Sequence, residues 1–151
     1  MTEKRRQQLK DFFNLYAERF NSALRGEGAD IEGTVAAFAV CFIAASPQGV
    51  NCGSDDEDFR KAMSQGYAFY RIIGVTAMDI LSAESTLLDD LHEMTRILWR
   101  FRYTRKDLAE GSVDFENIYF TQSKNNETKI FAYITGDEQA ALREKSLIRI
   151  I

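Results

Sequence analysis

The feature that most constrains the fold is the order of two patterns along the chain. Before about Gly74, apolar residues recur at three- and four-residue spacings, which is typical of helices. After it come long apolar segments rich in aromatic residues, which are typical of strands. Helices followed by a run of strands favour one antiparallel sheet with helices on one face, because βαβ units would require the two patterns to alternate. We therefore predict an α+β fold.

Apolar spacing and turn signals give approximate bounds for each element. Helices are predicted at Thr2–Arg25, Ile31–Ala39, about Ser54–Gly74 and Asp137–Lys145. Strands are predicted at Cys41–Ala45, Val75–Ala83, Leu87–Arg105, Val113–Ser123 and Thr128–Thr135, with Asn51–Ser54 as a loop. A long first helix and two further helices would then pack on four long strands plus one short strand. We expect a single domain spanning residues 1–151.

Composition and charge argue against several classes of partner. The net charge is −4 and the isoelectric point is near 5.1, which disfavours binding to nucleic acid. The longest apolar run, Val35–Ala45, is much shorter than the ~20 residues that a membrane-spanning helix needs. The charged N-terminus does not resemble a signal peptide. We expect a cytoplasmic protein without a nucleic-acid or membrane partner.

Sequence motifs for metals and cofactors are missing. The two cysteines, Cys41 and Cys52, and a single histidine do not make a zinc site. The chain also has no glycine-rich phosphate loop and no nucleophile elbow. We therefore expect no metal, no cofactor and reduced cysteines.

The long strand predicted at Leu87–Arg105 has apolar and polar side chains on both of its faces. Helices can cover only one face of the sheet, so the other face needs a partner or remains an exposed apolar patch. Patches of this kind usually mark an interface between subunits. We predict a homodimer formed through the sheet face.

Six segments resemble the nuclear transport factor 2-like superfamily, and the last two are similar to its SnoaL-like branch. These segments are Phe12–Ala17 with Asn21–Gly26, Ile31–Phe38, Ser46-Pro47, Trp99–Arg105 and the Val113–Phe120 strand. The resemblance implies a cystatin-like cone, in which a curved sheet wraps around a long first helix. It covers almost the whole chain. The superfamily contains isomerases, dehydratases, cyclases, hydrolases, carriers and oligomerisation modules, so fold alone does not define the chemistry.

The ketosteroid isomerases of this superfamily provide positions for comparison. Their general base, an aspartate before a proline, corresponds to Ser46, which cannot hold a negative charge near neutral pH. Their oxyanion tyrosine corresponds to Phe20, with Tyr16 one turn earlier, and their protonated acid corresponds to Glu116. Two of the three positions depart from the pattern, so ketosteroid isomerase activity is not expected.

Three residues are candidates for an acid or base of an enzyme in the SnoaL-like branch: Asp79, Glu116 and His92. A carboxylate inside the cone would have a raised pKa and could transfer protons. Strand alternation could equally direct Asp79, Glu116 and also Glu93 outwards, and His92 could be a surface residue near a hairpin. A lyase, isomerase or hydrolase activity depends on one of the three candidates lying in the cavity.

The leading hypothesis is a small-molecule-binding domain with an aromatic-lined cone, and it rests on the fold resemblance together with the aromatic residues. The chain has 11 Phe and 6 Tyr, and few titratable groups lie in its apolar segments. The candidate ligand-binding residues are Tyr16, Phe20, Phe38, Tyr67, Tyr70 and Trp99. A small apolar or aromatic ligand is the expected partner. A third hypothesis is an oligomerisation module held together by the sheet face and the Leu147–Ile151 tail.

Overall fold

The structure is a computed structural model that describes residues 1–145 and 147. It confirms the predicted α+β fold: helices pack on one face of a curved sheet that does not close into a barrel. The helices are α1 (Glu3–Leu24), α2 (Ile31–Ala36), α3 (Glu57–Ile72) and α4 (Glu138–Glu144). The strands are β1 (Phe38–Ser46), β2 (Gly49–Ser54), β3 (Val75–Leu87), β4 (His92–Thr104), β5 (Glu110–Lys124) and β6 (Glu127–Thr135).

The sheet differs from the prediction in strand number and in direction. It has six strands in the order β2-β1-β6-β5-β4-β3, and β1 runs parallel to β6, so the sheet is mixed rather than antiparallel. The segment predicted as a loop at Asn51–Ser54 belongs to β2, which pairs antiparallel with β1. Its Gly, Asn and Ser residues have low strand propensity, but hairpin pairing with β1 overrides that preference.

The hairpin between β3 and β4 lies four or five residues later than predicted. β3 continues to Leu87, and β4 begins at His92. The turn is organised by Asp89, whose Oδ1 accepts hydrogen bonds from the backbone N–H groups of Leu91 and His92 at 2.9 and 2.8 Å. Leucines within this turn conceal the turn signal, because they extend the apolar pattern of the strand.

Side-chain alternation gives the sheet an inner face against the helices and an outer face on the opposite side. On β4, the inner positions include Ile97, Trp99 and Phe101, which are almost completely buried. The intervening positions, such as Arg96 and Arg102, point to the outer face. Two residues that pair directly across neighbouring strands therefore lie on the same face of the sheet.

Leu147 packs against the core, whereas the rest of the predicted Leu147–Ile151 tail lies outside the described residues. In residues 1–145 and 147, no helix is both long enough and apolar enough to cross a membrane.

Candidate functional site

A cavity of about 610 Å³ lies between α1, α3 and the inner face of the sheet. Aromatic rings form a large part of its wall. These rings belong to Tyr16, Phe20, Phe38, Phe42, Phe59, Tyr67, Tyr70, Phe101, Phe115, Tyr119 and Tyr133. A concave, largely apolar site with few polar groups is typical of small-molecule pockets.

One wall of the cavity is a single face of α3. The residues that line it recur at three- and four-residue spacings: Phe59, Ala62, Met63, Gly66, Tyr67 and Tyr70. A Cβ atom built on Gly66 would have no heavy atom within 4 Å, so this position opens the wall. Asp56 begins the helix by accepting a hydrogen bond from the Phe59 backbone N–H at 2.9 Å.

Five of the six aromatic residues singled out from the sequence line this cavity: Tyr16, Phe20, Phe38, Tyr67 and Tyr70. The sixth, Trp99, lies behind the wall with no exposed surface. Its indole Nε1 donates a hydrogen bond to the Tyr119 hydroxyl at 3.0 Å. Trp99 therefore positions a lining residue without facing the cavity, and ligand binding by the other five stays a prediction.

Tyr119 and Asn117 form a polar pair in the aromatic wall. The Tyr119 hydroxyl oxygen accepts from Trp99 Nε1 and from Asn117 Nδ2, the latter at 3.2 Å. Within the described residues the Tyr119 O–H has no acceptor, and the buried Oδ1 of Asn117 has no donor. The pair can therefore offer both a donor and an acceptor to a bound molecule. Nothing in the sequence marked these two residues, because only the strand register places them on the inner face.

Glu138 is a carboxylate of the cavity that was not among the sequence candidates. It is the first residue of α4, lines the cavity and accepts a hydrogen bond from the Tyr70 hydroxyl. Burial raises its pKa above the ordinary value, and the Tyr70 hydrogen bond only partly offsets this effect. In sequence, Glu138 follows the N-cap Asp137 and is typical of an acidic first turn, so its position at the cavity was not evident.

Burial also perturbs the phenols of the cavity. Desolvation raises the pKa of Tyr119 to about 12, although the hydrogen bonds from Asn117 and Trp99 act in the opposite direction. Burial raises the pKa of Tyr16, and nearby Tyr119 raises it further. Burial also raises the pKa of Tyr70, and the charge of Glu138 adds to this effect. All three phenols remain protonated at neutral pH and can act as hydrogen-bond donors.

These raised pKa values predict alkaline destabilisation. Above the ordinary tyrosine pKa of 10.0, the unfolded chain loses phenolic protons that the folded protein keeps, so the free energy of unfolding decreases as pH rises. Tyr119 alone should account for about 2 kcal/mol by about pH 12. Urea unfolding at pH values from 9 to about 12 measures this slope. In Tyr119→Phe the slope should be shallower, and an identical slope in both proteins would contradict the assignment.

The structure places Asp79, Glu116 and His92 away from the cavity. Asp79 and Glu116 lie on the outer face, where they accept hydrogen bonds from Arg102 at 2.5 Å and from Arg96 at 2.8 Å. All three are partly or largely exposed.

His92 lies on the outer face at the start of β4, and its Nδ1 is 2.7 Å from Asp89 Oδ1. None of the three candidates lines the cavity, so an acid–base reaction there would have to use another group, and Glu138 is available. Glu93 does point inwards but is completely buried in an ion pair with Arg5.

The positions compared with ketosteroid isomerases do not come together. Ser46 ends β1, and its hydroxyl contacts Gln48 rather than the cavity. Phe20 does line the cavity, and Glu116 lies on the outer face. In the described part of the chain, no group of three or more His, Cys, Asp or Glu residues could hold a metal ion.

A long helix packed on a curved sheet is typical of the cystatin-like α+β class of folds. Within that class, the family described as NTF2-like protein (DUF6841) matches residues 6–138, and the chain belongs to this family. No curated protein matches the chain.

Three solved structures illustrate the shared fold. An NTF2-like protein with a cystatin-like fold from Novosphingobium aromaticivorans has 11% identity and a TM-score of 0.68, covering 96% of this chain and 89% of its own. The protein Aln2 from a Streptomyces species has 13% identity and a TM-score of 0.67, with coverages of 95% and 98%. A ketosteroid isomerase-like protein from Erwinia carotovora atroseptica has 14% identity and a TM-score of 0.54, with coverages of 84% and 91%. At these identities the likeness concerns the fold alone.

Proposed function

We propose that this protein binds a small aromatic or apolar molecule in the cavity between α1, α3 and the inner face of the sheet. The observation that carries the proposal is the cavity itself, which has a volume of about 610 Å³ and many aromatic rings in its wall. Removing apolar ligand surface from water stabilises a complex by about 25 cal/mol per Å², before the costs of association are subtracted. Aromatic walls add preferred edge and offset-stacked contacts with a flat ligand.

The polar pair gives the proposed ligand a second property. The free O–H of Tyr119 and the free Oδ1 of Asn117 complement a group that both accepts and donates a hydrogen bond, such as a hydroxyl or an amide. A ligand without such a group would leave the buried Asn117 oxygen unpaired, which costs about 1–3 kcal/mol. We therefore propose an aromatic ligand with one hydroxyl or amide group.

Binding can be tested with a neutral aromatic dye and a variant that fills the cavity. N-phenyl-1-naphthylamine fluoresces strongly in apolar surroundings, and we expect saturable binding of one dye per subunit. Gly66→Trp should weaken this binding by at least about tenfold, or 1.4 kcal/mol, since the indole would enter the open space beside Gly66.

Gly66→Ala is the matched control, because it replaces the same residue with a small side chain. Alanine favours a helix over glycine by about 1 kcal/mol, so this variant should bind dye and be slightly more stable. Equal dye binding by wild type and Gly66→Trp would place the dye elsewhere on the protein and contradict the proposal.

We also propose a homodimer through the outer face of the sheet. Cross-strand pairing aligns two apolar rows there: Val50, Ala45, Ile134 and Ile118 in one row, and Ile43, Ala132, Phe120 and Met94 in the other. Ile43 and Ile134 are about two-fifths exposed in the single chain. A patch of this kind supports an interface between subunits.

The dimer is tested by light scattering at micromolar concentration. Wild type should have twice the mass of the chain, whereas Ile134→Lys should be a monomer because a lysine charge would be buried between the subunits. Lys124→Gln is the control, since this residue lies at the exposed end of β5. A monomeric wild type would contradict the proposal.

A further inference from the structure

The charged residues of the cavity all have the same sign. Its lining includes the carboxylates of Asp56, Asp58 and Glu138, and among the described lining residues there is no Lys, Arg or His. In the part of the chain that the structure describes, none of these three carboxylates forms an ion pair with a basic side chain. A bound molecule therefore meets negative charge that no cation of the described lining compensates.

Glu138 is the carboxylate that lies within the aromatic part of the wall. Tyr70 donates to its Oε1, and within the described residues this is the only hydrogen bond that the carboxylate receives. Asp56 is instead engaged at the start of α3, and Asp58 lies exposed in the first turn of the same helix. A carboxylate removed from water with a single donor gains strongly from a cation placed beside it.

Aromatic rings pack around Tyr70, the hydrogen-bond partner of Glu138. The ring of Tyr70 lies 5.1 Å from that of Phe101 and 5.5 Å from that of Phe20, measured between centroids. Phe115 packs against Phe101 at 4.5 Å. Faces of aromatic rings attract ammonium groups, by about 0.5–1 kcal/mol at exposed sites and about 2 kcal/mol when water is excluded.

From this arrangement we propose that the cavity selects aromatic molecules that carry a protonated amine, with Glu138 as counter-ion and the surrounding rings as a cation–π cage. The inference rests on the proposed function, because it names the class of ligand for the same cavity. The buried Oδ1 of Asn117 can accept from an N–H of such a ligand, whereas the Tyr119 O–H would pair with a separate hydroxyl or amide oxygen of the same molecule. Carboxylate and phosphate ligands are disfavoured, since no basic side chain in the described lining could neutralise them.

Three naphthalene probes of nearly equal size separate the effect of ligand charge on affinity from the effect of ligand shape. Calorimetric titration at pH 7 would compare 2-naphthylmethylammonium, the neutral 2-naphthylmethanol and the anionic 2-naphthoate. We expect the ammonium to bind wild type at least about tenfold more tightly than the alcohol, and the carboxylate to bind least tightly. In Glu138→Gln the ammonium-to-alcohol ratio should fall to about one, because glutamine can still accept the Tyr70 hydrogen bond but carries no charge.

Glu144→Gln is the matched control, because it removes one negative charge from the exposed end of the same helix. It should keep the wild-type ratio of affinities. Each ratio is measured within one protein, so a small change in stability of a variant does not alter it. Thermal unfolding followed by circular dichroism checks that Glu138→Gln is folded.

Two results would overturn the inference: an unchanged ratio in Glu138→Gln, or naphthoate binding as tightly as the ammonium. If N-phenyl-1-naphthylamine binds wild type while the ammonium shows no preference, only the charge inference fails. If neither the dye nor any naphthalene probe binds, the proposed function fails with it.

Discussion

Arg5→Met is expected to lower the free energy of unfolding by about 3–5 kcal/mol. The Arg5 guanidinium donates to Glu93 Oε1 at 2.6 Å, and Thr121 donates to Glu93 Oε2 at 2.6 Å. Glu93 has no exposed surface, whereas 22% of the Arg5 side chain is exposed. Methionine keeps the volume of the aliphatic stem but leaves a buried carboxylate without its cation, and that is the origin of the large effect.

Part of the lost free energy of unfolding should be recovered when the unpaired Glu93 carboxylate is also replaced by a neutral group. In the double variant Arg5→Met, Glu93→Gln, the neutral amide can still contact Thr121, so we expect a coupling energy of at least about 1 kcal/mol. Arg6→Met is the control, because within the described residues Arg6 pairs only with the exposed Glu3, so the change should alter stability by less than about 1 kcal/mol. Urea unfolding of wild type, Arg5→Met, Glu93→Gln, the double variant and Arg6→Met measures these differences. Equal effects of Arg5→Met and Arg6→Met would contradict the account.

The Arg5–Glu93 pair also matters for the cavity. Arg5 lies in the first turn of α1 and also donates to the Asp90 backbone oxygen at 2.8 Å, so it fixes the start of this helix on the sheet. Tyr16 and Phe20, which line the cavity, lie further along the same helix. Weak dye binding by a folded Arg5→Met protein would be the expected functional consequence.

Trp99→Ala is expected to cost about 3–5 kcal/mol, because it deletes a completely buried ring from the centre of the inner face. The change also removes the indole donor of the Tyr119 hydroxyl and leaves new space directly behind the cavity wall. The ring of Tyr16 lies 6.3 Å from that of Trp99, so it would lose a packing neighbour as well. Urea unfolding measures the loss, and dye titration tests whether the wall has moved.

Trp99→Phe separates the two contributions. It keeps an aromatic ring but lacks the indole N–H, so it should retain most of the packing while Tyr119 loses one donor. We expect its stability to lie between that of wild type and Trp99→Ala. A loss in Trp99→Ala of less than about 1 kcal/mol would mean that the ring does not support the wall as described.

The parts of the fold that sequence predicts well are those set by local periodicity. The prediction for α1 differs from the structure by one residue at each end, because its buried residues, such as Leu9 and Phe13, recur at helical spacing over many turns. β5 and β6 were also found, since the Asn125-Asn126 turn between them has positive φ at both residues and is a strong hairpin signal.

Features that depend on pairing between distant segments were not predictable. The parallel contact of β1 with β6 joins residues nearly 90 positions apart, such as Ala45 and Ile134, and no local pattern encodes it. Bulges in β3, between Val75 and Ala77 and between Ile80 and Ser82, change which residues share a face. A one-residue change of register moves every side chain to the other face.

In the candidate site too, residues placed by local helical spacing were predictable, and residues placed by strand pairing were not. Aromatic residues on the helices, such as Tyr67 and Tyr70, could be predicted to line a cavity because helical spacing fixes their direction. Which polar residues of the strands face the cavity could not be predicted, because this depends on strand register. Asp79 and Glu116 lie on the outer face, whereas Asn117 lines the cavity. Glu138 reaches the site only because α4 packs back against the sheet, and that contact has no signature in the sequence.

Diffraction from crystals grown with N-phenyl-1-naphthylamine would test most directly whether the cavity binds an aromatic molecule. We predict electron density for one dye per subunit between α3 and the inner face of the sheet, in contact with Tyr70 and Tyr119. A cavity filled by the side chains of Tyr16 and Tyr133, with the dye absent or bound on the outer face, would contradict the account.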